Sequence, residues 1–299
     1  MKVLVIMGAT ATGKSGLALE LAERSGKEII SADSRQVYQG LRIGTAQPSK
    51  DDRARVPHHL VDFLPLTETW SAQQFADATL SLIRSASGTT PILVGGTGFW
   101  IRSLIEGLFP LDLPRETTLA ARAALEPLET SALYARLELE DSESANRLHH
   151  NDRQRIMRAL EVLDATGITL SAHHQNTRNK PHEITWVRVV LTCPRAELHK
   201  RIETRLDTML EGGWPEEVSS LINADVSARS PGMQALGYPE IVNMLRGSMS
   251  PEKARERILF RTRQYARRQE IWFRKEKDAV VLDAGQPDTP TKLEAMLKS

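Results

Sequence analysis

A parallel α/β sheet with helices on both faces, interrupted by an inserted all-helical subdomain, is the architecture expected for this 299-residue chain. Three observations carry that expectation. Short apolar and β-branched runs alternate with segments of helical periodicity over the first hundred residues and again after residue 183. The first run, Val3-Leu4-Val5-Ile6-Met7, leads through a loop bracketed by glycines straight into Leu17-Ala18-Leu19-Glu20-Leu21-Ala22. Between Pro110 and Glu183 there is no convincing strand pattern, only helical periodicity.

In chain order, strands are expected at 3–7, 28–32, 91–94 and 186–191, with a last one at 279–282, because each is a short run rich in Val, Ile and Leu. Helices are expected at about 14–25, 71–86, 98–107, 195–210, 214–223 and 251–275 in the core, and at 116–139 and 151–166 in the insertion. The core then comprises residues 1–110 and 184–299, and the insertion 111–183. In the insertion, Asn151 or Asp152 can cap a helix whose apolar stripe is Ile156, Ala159, Leu160 and Leu163, leaving Arg155 and Arg158 on a neighbouring face.

The segment Gly8-Ala9-Thr10-Ala11-Thr12-Gly13-Lys14-Ser15 fits G-x-x-x-x-G-K-[ST] in the strand–loop–helix context that this pattern requires. Glycines at 8 and 13 let the loop curl so that successive N–H groups, Thr10, Ala11 and Thr12 among them, face one anion, and the helix adds its positive dipole end. Lys14 supplies a point charge for a terminal phosphoryl group, and the Ser15 hydroxyl is a ligand for Mg²⁺. The expected fold is therefore P-loop NTPase-like, and the expected ligand a polyphosphate or pyrophosphate.

The ends of the other strands bear on the reaction, since ligands of parallel sheets sit at the carboxyl edge. The second strand runs into Ala32-Asp33-Ser34-Arg35-Gln36-Val37-Tyr38, placing Asp33 beside the phosphate site. The run Pro91-Ile92-Leu93-Val94 ends in Gly95-Gly96-Thr97-Gly98, whose Thr97 hydroxyl can donate to a phosphoryl or leaving-group oxygen. A hydrolysing P-loop protein usually ends an apolar strand in an Asp for Mg²⁺. The Gly-Gly-Thr ending weighs against an ATPase motor or a GTPase and leaves Asp33 as the acidic group for general-base work or metal binding.

Composition narrows the setting. The single cysteine, Cys193, excludes an intrachain disulfide and a Cys-based zinc cluster, so a reducing cytoplasm is the expected compartment and a small buried apolar role the expected one for the thiol. No run of about 18 apolar residues occurs, so no membrane partner and no leader segment are expected. The net charge of +1 hides an uneven distribution. From Ser250 to Lys277 ten Lys/Arg stand against four Glu, a positive stripe along one helix. The pairs His58-His59 and His149-His150 lack a third metal-type ligand nearby, which points to loop or capping roles.

Taken together, the chain resembles the tRNA dimethylallyltransferase (tRNA isopentenyltransferase) family. The matching stretches are Gly8–Ser15, Asp33–Tyr38, Ile43-Gly44-Thr45-Ala46, Pro57-His58-His59-Leu60-Val61-Asp62, Gly95-Gly96-Thr97, Asn151–Val162, Gln234-Ala235-Leu236-Gly237-Tyr238 and Arg261–Arg274. The resemblance implies Mg²⁺-dependent transfer of a dimethylallyl group from dimethylallyl diphosphate to N6 of adenine 37 of tRNA. Asp33 would then accept the N6 proton, Thr97 would hydrogen-bond the bridging oxygen of the departing diphosphate, and the P-loop would hold that leaving group. Ser34, Arg35 and Gln36, beside Asp33, would read a flipped adenine, with Gln36 the best match to an adenine edge. Gln154, Arg155, Ile156, Met157 and Arg158, with Gln234, Gly237 and Tyr238, would touch the RNA. Arg261, Arg263, Arg267, Arg268 and Arg274 would contact phosphates of the anticodon stem-loop. Trp272 and Phe273 read as core residues more than as stacking platforms. A monomer is expected.

Two departures from the family pattern stand out: Gln47 where a Lys is frequent, and Ile271 where a Thr is common. Three other readings use parts of the same sequence. A small-molecule kinase would use the loop and Asp33, an isopentenyltransferase acting on free adenine nucleotides would lack need of the insertion, and a noncatalytic RNA-binding protein would lack need of Asp33 and Thr97.

Overall fold

The computed structural model describes residues 1–86, 89–107, 115–177, 183–276 and 278–298. Two compact units emerge, Met1–Ile105 with Glu183–Ser299, and Glu106–His182. The first unit opens with β1 (Lys2–Gly8), α1 (Lys14–Ser25), β2 (Ile29–Ser31), α2 (Lys50–Arg55), β3 (His58–His59), α3 (Ala72–Ser85), β4 (Ile92–Gly95) and α4 (Gly98–Glu106). The second holds α5 (Arg115–Leu125), α6 (Thr130–Glu140), α7 (Ser142–Arg147), α8 (Arg153–Thr166) and α9 (Leu170–Thr177). The chain then returns to the first unit with β5 (Thr185–Thr192), α10 (Arg195–Glu211), α11 (Trp214–Asn223), a 3₁₀ turn (Gly232–Gln234), α12 (Tyr238–Leu245), α13 (Pro251–Phe273), β6 (Val280–Asp283) and α14 (Thr289–Lys298).

The six strands form one parallel sheet in the order β3-β2-β4-β1-β5-β6. Strand β1 lies inside it, and Val3 to Met7 are at most 2% exposed, as a strand covered on both faces requires. Leu4 and Ile6 pack with Ala18, Leu21 and Ala22 of α1 and Leu293 of α14, whereas the alternate residues of β1 face the side covered by α13. Register positions the functional loops: Met7 pairs with Gly95, Ser31 with Val94 and Gly8 with Leu191. The loops leaving β1, β2 and β4 therefore open at one edge.

In the second unit Leu125, Leu133, Leu137, Ala145, Ile156, Met157, Ala159 and Leu160 form a core of its own. Full burial of a side chain such as Leu160 contributes about 2 kcal/mol. Asp152 is the cap of α8, its carboxylate accepting from the Arg155 N–H at 3.4 Å. The buried Asp141 carboxylate accepts from Ser144 N at 3.1 Å and Ser171 N at 3.2 Å, joining α7 to the start of α9.

Several expectations change. The single helix expected over 116–139 is two, α5 and α6, because Pro127 disfavours helical geometry at Glu126 and ends the first. The pair His58-His59 is a short edge strand, not a loop or cap: parallel pairing with Ile29 and Ile30 decides it, an interaction that local composition does not carry. Helices α2, α7, α9, α12 and α14 are additional to those expected. Cys193 is buried at the end of β5, as its apolar role requires. Among the described residues no helix is long and apolar enough to cross a membrane.

Candidate active site

The phosphate-type loop is held by its own backbone. A Cβ at Gly8 would stand 2.5 Å from the Leu191 carbonyl, and Gly13 has φ +92°, so both positions exclude other residues. Ala11 adopts the left-handed region at φ 62°, a conformation costing a non-glycine residue about 1 kcal/mol, which is the kind of strain that functional loops retain. The Ala9 carbonyl gathers the loop inward, accepting from Thr12 Oγ1 at 2.9 Å and from Lys14 Nζ at 3.1 Å. No side chain caps α1, so its first N–H groups stay open toward an anion.

Asp33, one of the two residues singled out at the neighbouring strand ends, stands across the crevice, and the other, Thr97, lies behind Ser34. Asp33 Oδ1 accepts from Arg35 N at 2.9 Å, which fixes the carboxylate and leaves its second oxygen free of that bond. The Thr97 hydroxyl accepts from Ser34 N at 3.0 Å, and its N–H donates to the Ala32 carbonyl at 3.1 Å. Its only protein acceptor among the described residues, Ser34 Oγ, lies at a long 3.4 Å, so its proton remains available to a ligand oxygen. Gly95 permits this proximity, since a Cβ there would be 2.2 Å from the Ala32 carbonyl.

Thr10, Ala11, Lys14, Ser15, Asp33 and Ser34 line a cavity of about 660 Å³ within the first unit, together with Arg205, Tyr265, Gln269 and apolar side chains such as Ile202, Leu206 and Trp214, and Thr97 stands directly behind Ser34. Burial lowers the Lys14 pKa to about 8, against the opposing pull of Asp33 and with the help of Arg205. Burial likewise pushes the Tyr265 phenol up, reinforced by Asp33. Since an anion binds the ammonium form, binding above pH 8 requires proton uptake, and affinity falls as pH rises through that value. The dissociation constant of inorganic diphosphate, measured calorimetrically from pH 7 to 9, is expected to rise up to about tenfold per unit above pH 8 relative to Lys14→Arg, which does not titrate there. Parallel profiles would remove Lys14 from the anion site.

Sequence reasoning missed Arg201 and Arg205, which α10 projects from successive turns over the loop. Arg205 Nη1 donates to Thr10 Oγ1 at 3.3 Å and Arg201 Nη1 to the Thr12 carbonyl at 3.4 Å. The signal was their i, i+4 spacing on a helix that follows a core strand.

Several residues expected to face RNA are engaged with protein instead, Gln36 among them although it lines the cavity. Gln36 spends its amide on the protein: Nε2 donates to Ala46 O at 2.7 Å and Thr45 O at 3.2 Å, while Oε1 accepts from Ser31 at 2.9 Å. It holds the loop at 44–46 in place of offering a free edge to adenine. Tyr238 is fully buried, donating to Glu217 at 2.7 Å, and Gly237 is pressed against Trp214 at φ +93°. Ile156 and Met157 are core residues of the second unit. The side chains of Tyr238, Ile156 and Met157 are packed against protein because their apolar or aromatic bodies fill the interior. By contrast Gln154, Arg155 and Arg158 are exposed on α8, Gln234 is exposed at the cavity rim, and Arg267, Arg268 and Arg274 are exposed on and just after α13.

The basic stripe is partly neutralised: Arg255 pairs with Asp207 at 2.6 Å, Arg263 with Glu203 at 3.0 Å, and Arg261 with the buried Glu240. Phe273 is core, and Trp272 packs on Gly98 beneath the Arg102 guanidinium, 4.5 Å from its ring centre. At the two departures, Gln47 Nε2 donates to the Gln36 and Tyr38 carbonyls at 2.9 and 2.8 Å and Oε1 accepts from Arg53, the last of which a Lys could not do. Ile271 is exposed. His58 lines the cavity, its Nδ1 donating to Val56 O at 2.7 Å, and burial pushes its pKa down, so the ring is neutral at pH 7.

A sheet of this order, with such a loop after its central strand, a carboxylate across the crevice and a hydroxyl just behind it, defines a P-loop α/β protein built for group transfer at a polyphosphate. Comparison with known proteins gives the particular family. Residues 36–276 match the sequence model described as IPP transferase. The tRNA dimethylallyltransferase of Halorhodospira halophila is 44% identical over 306 residues, covering 99% of this chain and 96% of that one. That of Geobacter sulfurreducens is 43% identical over 282 residues, covering 92% and 89%. Among solved structures, the full-length tRNA isopentenylpyrophosphate transferase of Bacillus halodurans superposes with a TM-score of 0.71 at 31% identity, covering 99% of this chain and 94% of that one. A eukaryotic dimethylallyltransferase caught acting on tRNA superposes with a TM-score of 0.83 at 29% identity, covering 99% and 77%. The chain belongs to the IPP transferase family.

Proposed function

We propose that this chain transfers a dimethylallyl group from dimethylallyl diphosphate to N6 of adenine 37 in the tRNA anticodon loop, releasing diphosphate. The observation that carries the reading is the placement of Asp33 across one crevice from the Gly8–Ser15 loop, with Thr97 held against Ser34 of the crevice lining, in a chain whose relatives are named tRNA dimethylallyltransferases. The N6 lone pair forms the new bond to the allylic carbon while the carbon–oxygen bond breaks, its electron pair going to diphosphate. Asp33 takes the N6 proton, and Thr97 donates to the bridging oxygen where charge develops. The N–H groups of Ala11, Gly13 and Lys14, with the Lys14 and Arg205 side chains, hold the leaving group; those of Thr10 and Thr12, expected to join them, go to Gln269 Oε1 at 2.8 Å and to the Ala9 carbonyl at 3.4 Å. The exocyclic amine is a weak nucleophile, so alignment over the allylic carbon is the larger contribution.

The Ser15 hydroxyl, exposed at the first turn of α1 without a protein hydrogen bond among the described residues, suits Mg²⁺, which takes few protein oxygens alongside phosphate oxygens and water. No cluster of three His, Cys, Asp or Glu exists among the described residues to form an all-protein metal cage. When bound there, Mg²⁺ supplies countercharge to the diphosphate.

In this reading the exposed arginines meet the anticodon stem-loop, and flipping adenine out of its stack costs a few kcal/mol, about as much as one or two good contacts restore. Replacing both Arg267 and Arg268 by Ala is expected to weaken tRNA binding about tenfold at low salt and to reduce the salt slope by about two. Filter binding over a salt series checks this, and an unchanged slope would take α13 out of the interface. The tRNA substrate supports a cytoplasmic setting.

The test is incubation with Mg²⁺, dimethylallyl diphosphate and an unmodified tRNA carrying adenine beside its anticodon, with AMP and ATP in parallel reactions. Gain of one C5H8 unit on adenosine of tRNA alone supports the assignment. Gain on AMP, or ATP consumption without prenyl gain, would overturn it.

A further inference from the structure

Gln269 lies on the buried side of α13, 6% exposed, and its amide reaches two loops at once. Oε1 accepts from the Thr10 N–H at 2.8 Å, and Nε2 donates to the Gly96 carbonyl at 2.9 Å. The glycines of the β4 turn record how closely the helix approaches. A Cβ at Gly96 would stand 2.5 Å from Gln269 Nε2, and a Cβ at Gly98 would stand 2.2 Å from Trp272 Nε1. Gln269 and Trp272, three apart on one helical face, thus occupy the side-chain spaces on either side of Thr97. Gln269 is the side chain through which the phosphate-type loop, the Thr97 turn and α13 meet. Its sequence neighbours Arg267 and Arg268 are exposed on the same helix.

We propose that Gln269 is a positioning residue for the transfer reaction, clamping the Gly8–Ser15 loop and the Thr97 turn at a fixed separation and tying both to the arginine-bearing helix. This rests on the reading of the crevice as a prenyl diphosphate site. The clamp has a direct chemical consequence. The Thr10 N–H is already taken by Gln269, so the leaving diphosphate is held by the N–H groups of Ala11, Gly13 and Lys14, and their distance from Thr97 is set by one amide. As the carbon–oxygen bond breaks, charge grows on oxygens that must meet the loop and Thr97 together, and a shift of about 1 Å in either costs on the order of 100-fold in rate.

Two variants test the clamp. Q269M preserves length and removes both hydrogen bonds. Q269E can accept from Thr10 in either form but can donate to the Gly96 carbonyl only when protonated. Expected for Q269M are a kcat about 100-fold lower, weaker binding of inorganic diphosphate by calorimetry, tRNA affinity within about twofold of wild type, and a melting temperature lowered by only a few degrees. Expected for Q269E is a kcat that, relative to wild type at each pH, recovers as pH falls through the carboxyl's pKa. Burial and Asp33 raise that pKa, while Lys14, Arg205 and Arg268, which line the same crevice, lower it. Wild-type kcat and diphosphate affinity in Q269M, or a pH-independent deficit in Q269E, would overturn the proposal. So would loss of tRNA binding and melting temperature in step with kcat, which marks a merely structural residue. If wild-type protein binds diphosphate but prenylates no RNA, the transfer reading fails by itself, and the diphosphate arm still judges the clamp.

Discussion

Asp33→Asn is expected to lower prenyl transfer to tRNA by a factor between about 10² and 10⁴ while tRNA affinity stays within about twofold. The amide retains an oxygen for the Arg35 N–H that orients the native carboxylate at 2.9 Å, so the variant removes the base and little else. Asp33→Ala, which loses that contact as well, is expected to abolish turnover. Single-turnover transfer with saturating tRNA and dimethylallyl diphosphate isolates the chemical step. Retained turnover in Asp33→Asn would exclude the carboxylate as proton acceptor, and loss of RNA binding with intact chemistry would make it a structural residue. Asp33 also counteracts the burial of Lys14, so its neutralisation is expected to shift the pH fall in diphosphate affinity to a lower value.

Arg205→Ala is expected to cost about 10²–10³ in kcat/KM for dimethylallyl diphosphate at saturating tRNA. The guanidinium is half-buried in the crevice wall and forms no salt bridge among the described residues, its one hydrogen bond going to the neutral Thr10 hydroxyl. Burial pushes its pKa down while Asp33 pulls the other way, so the protein alone leaves this charge under-compensated beside the loop. An anion in the loop supplies the missing partner. Arg205→Lys should restore only part of the loss, because a single ammonium cannot reproduce two-pronged contact with phosphate. Steady-state kinetics with each substrate varied in turn checks this. Unchanged diphosphate dependence, or a deficit confined to tRNA, would place Arg205 outside the leaving-group site.

The parts of the site legible without coordinates are those created by short-range chemistry. A strand–loop–helix with glycines at 8 and 13 states its own geometry. Asp33 and Thr97 end strands of a parallel sheet, and such ends share one edge, so β-strand patterns alone bring them to the loop. The alternation of strands and helices and the strand-free stretch after residue 110 are likewise local signals. Periodicity could not register Pro127 dividing α5 from α6, because the apolar spacing continues across it.

What depended on three-dimensional packing is everything contributed by distant helices. Gln269 meets Thr10 across 259 residues, Arg205 meets it across 195, and Gln36 turns inward to the 44–46 loop, so the adenine-type pairing geometry of its amide is already used. Tyr238, Ile156 and Met157 carry residue types compatible with either an interface or a core, and only the neighbours that surround them settle it as core. The charge stripe of α13 reads as uniformly basic in one dimension, yet Arg255, Arg261 and Arg263 are matched by acids from α10 and α12. A helix's sequence defines its faces, but which face meets the catalytic loops is set by the burial of apolar surface against the sheet, a free energy summed over the whole fold.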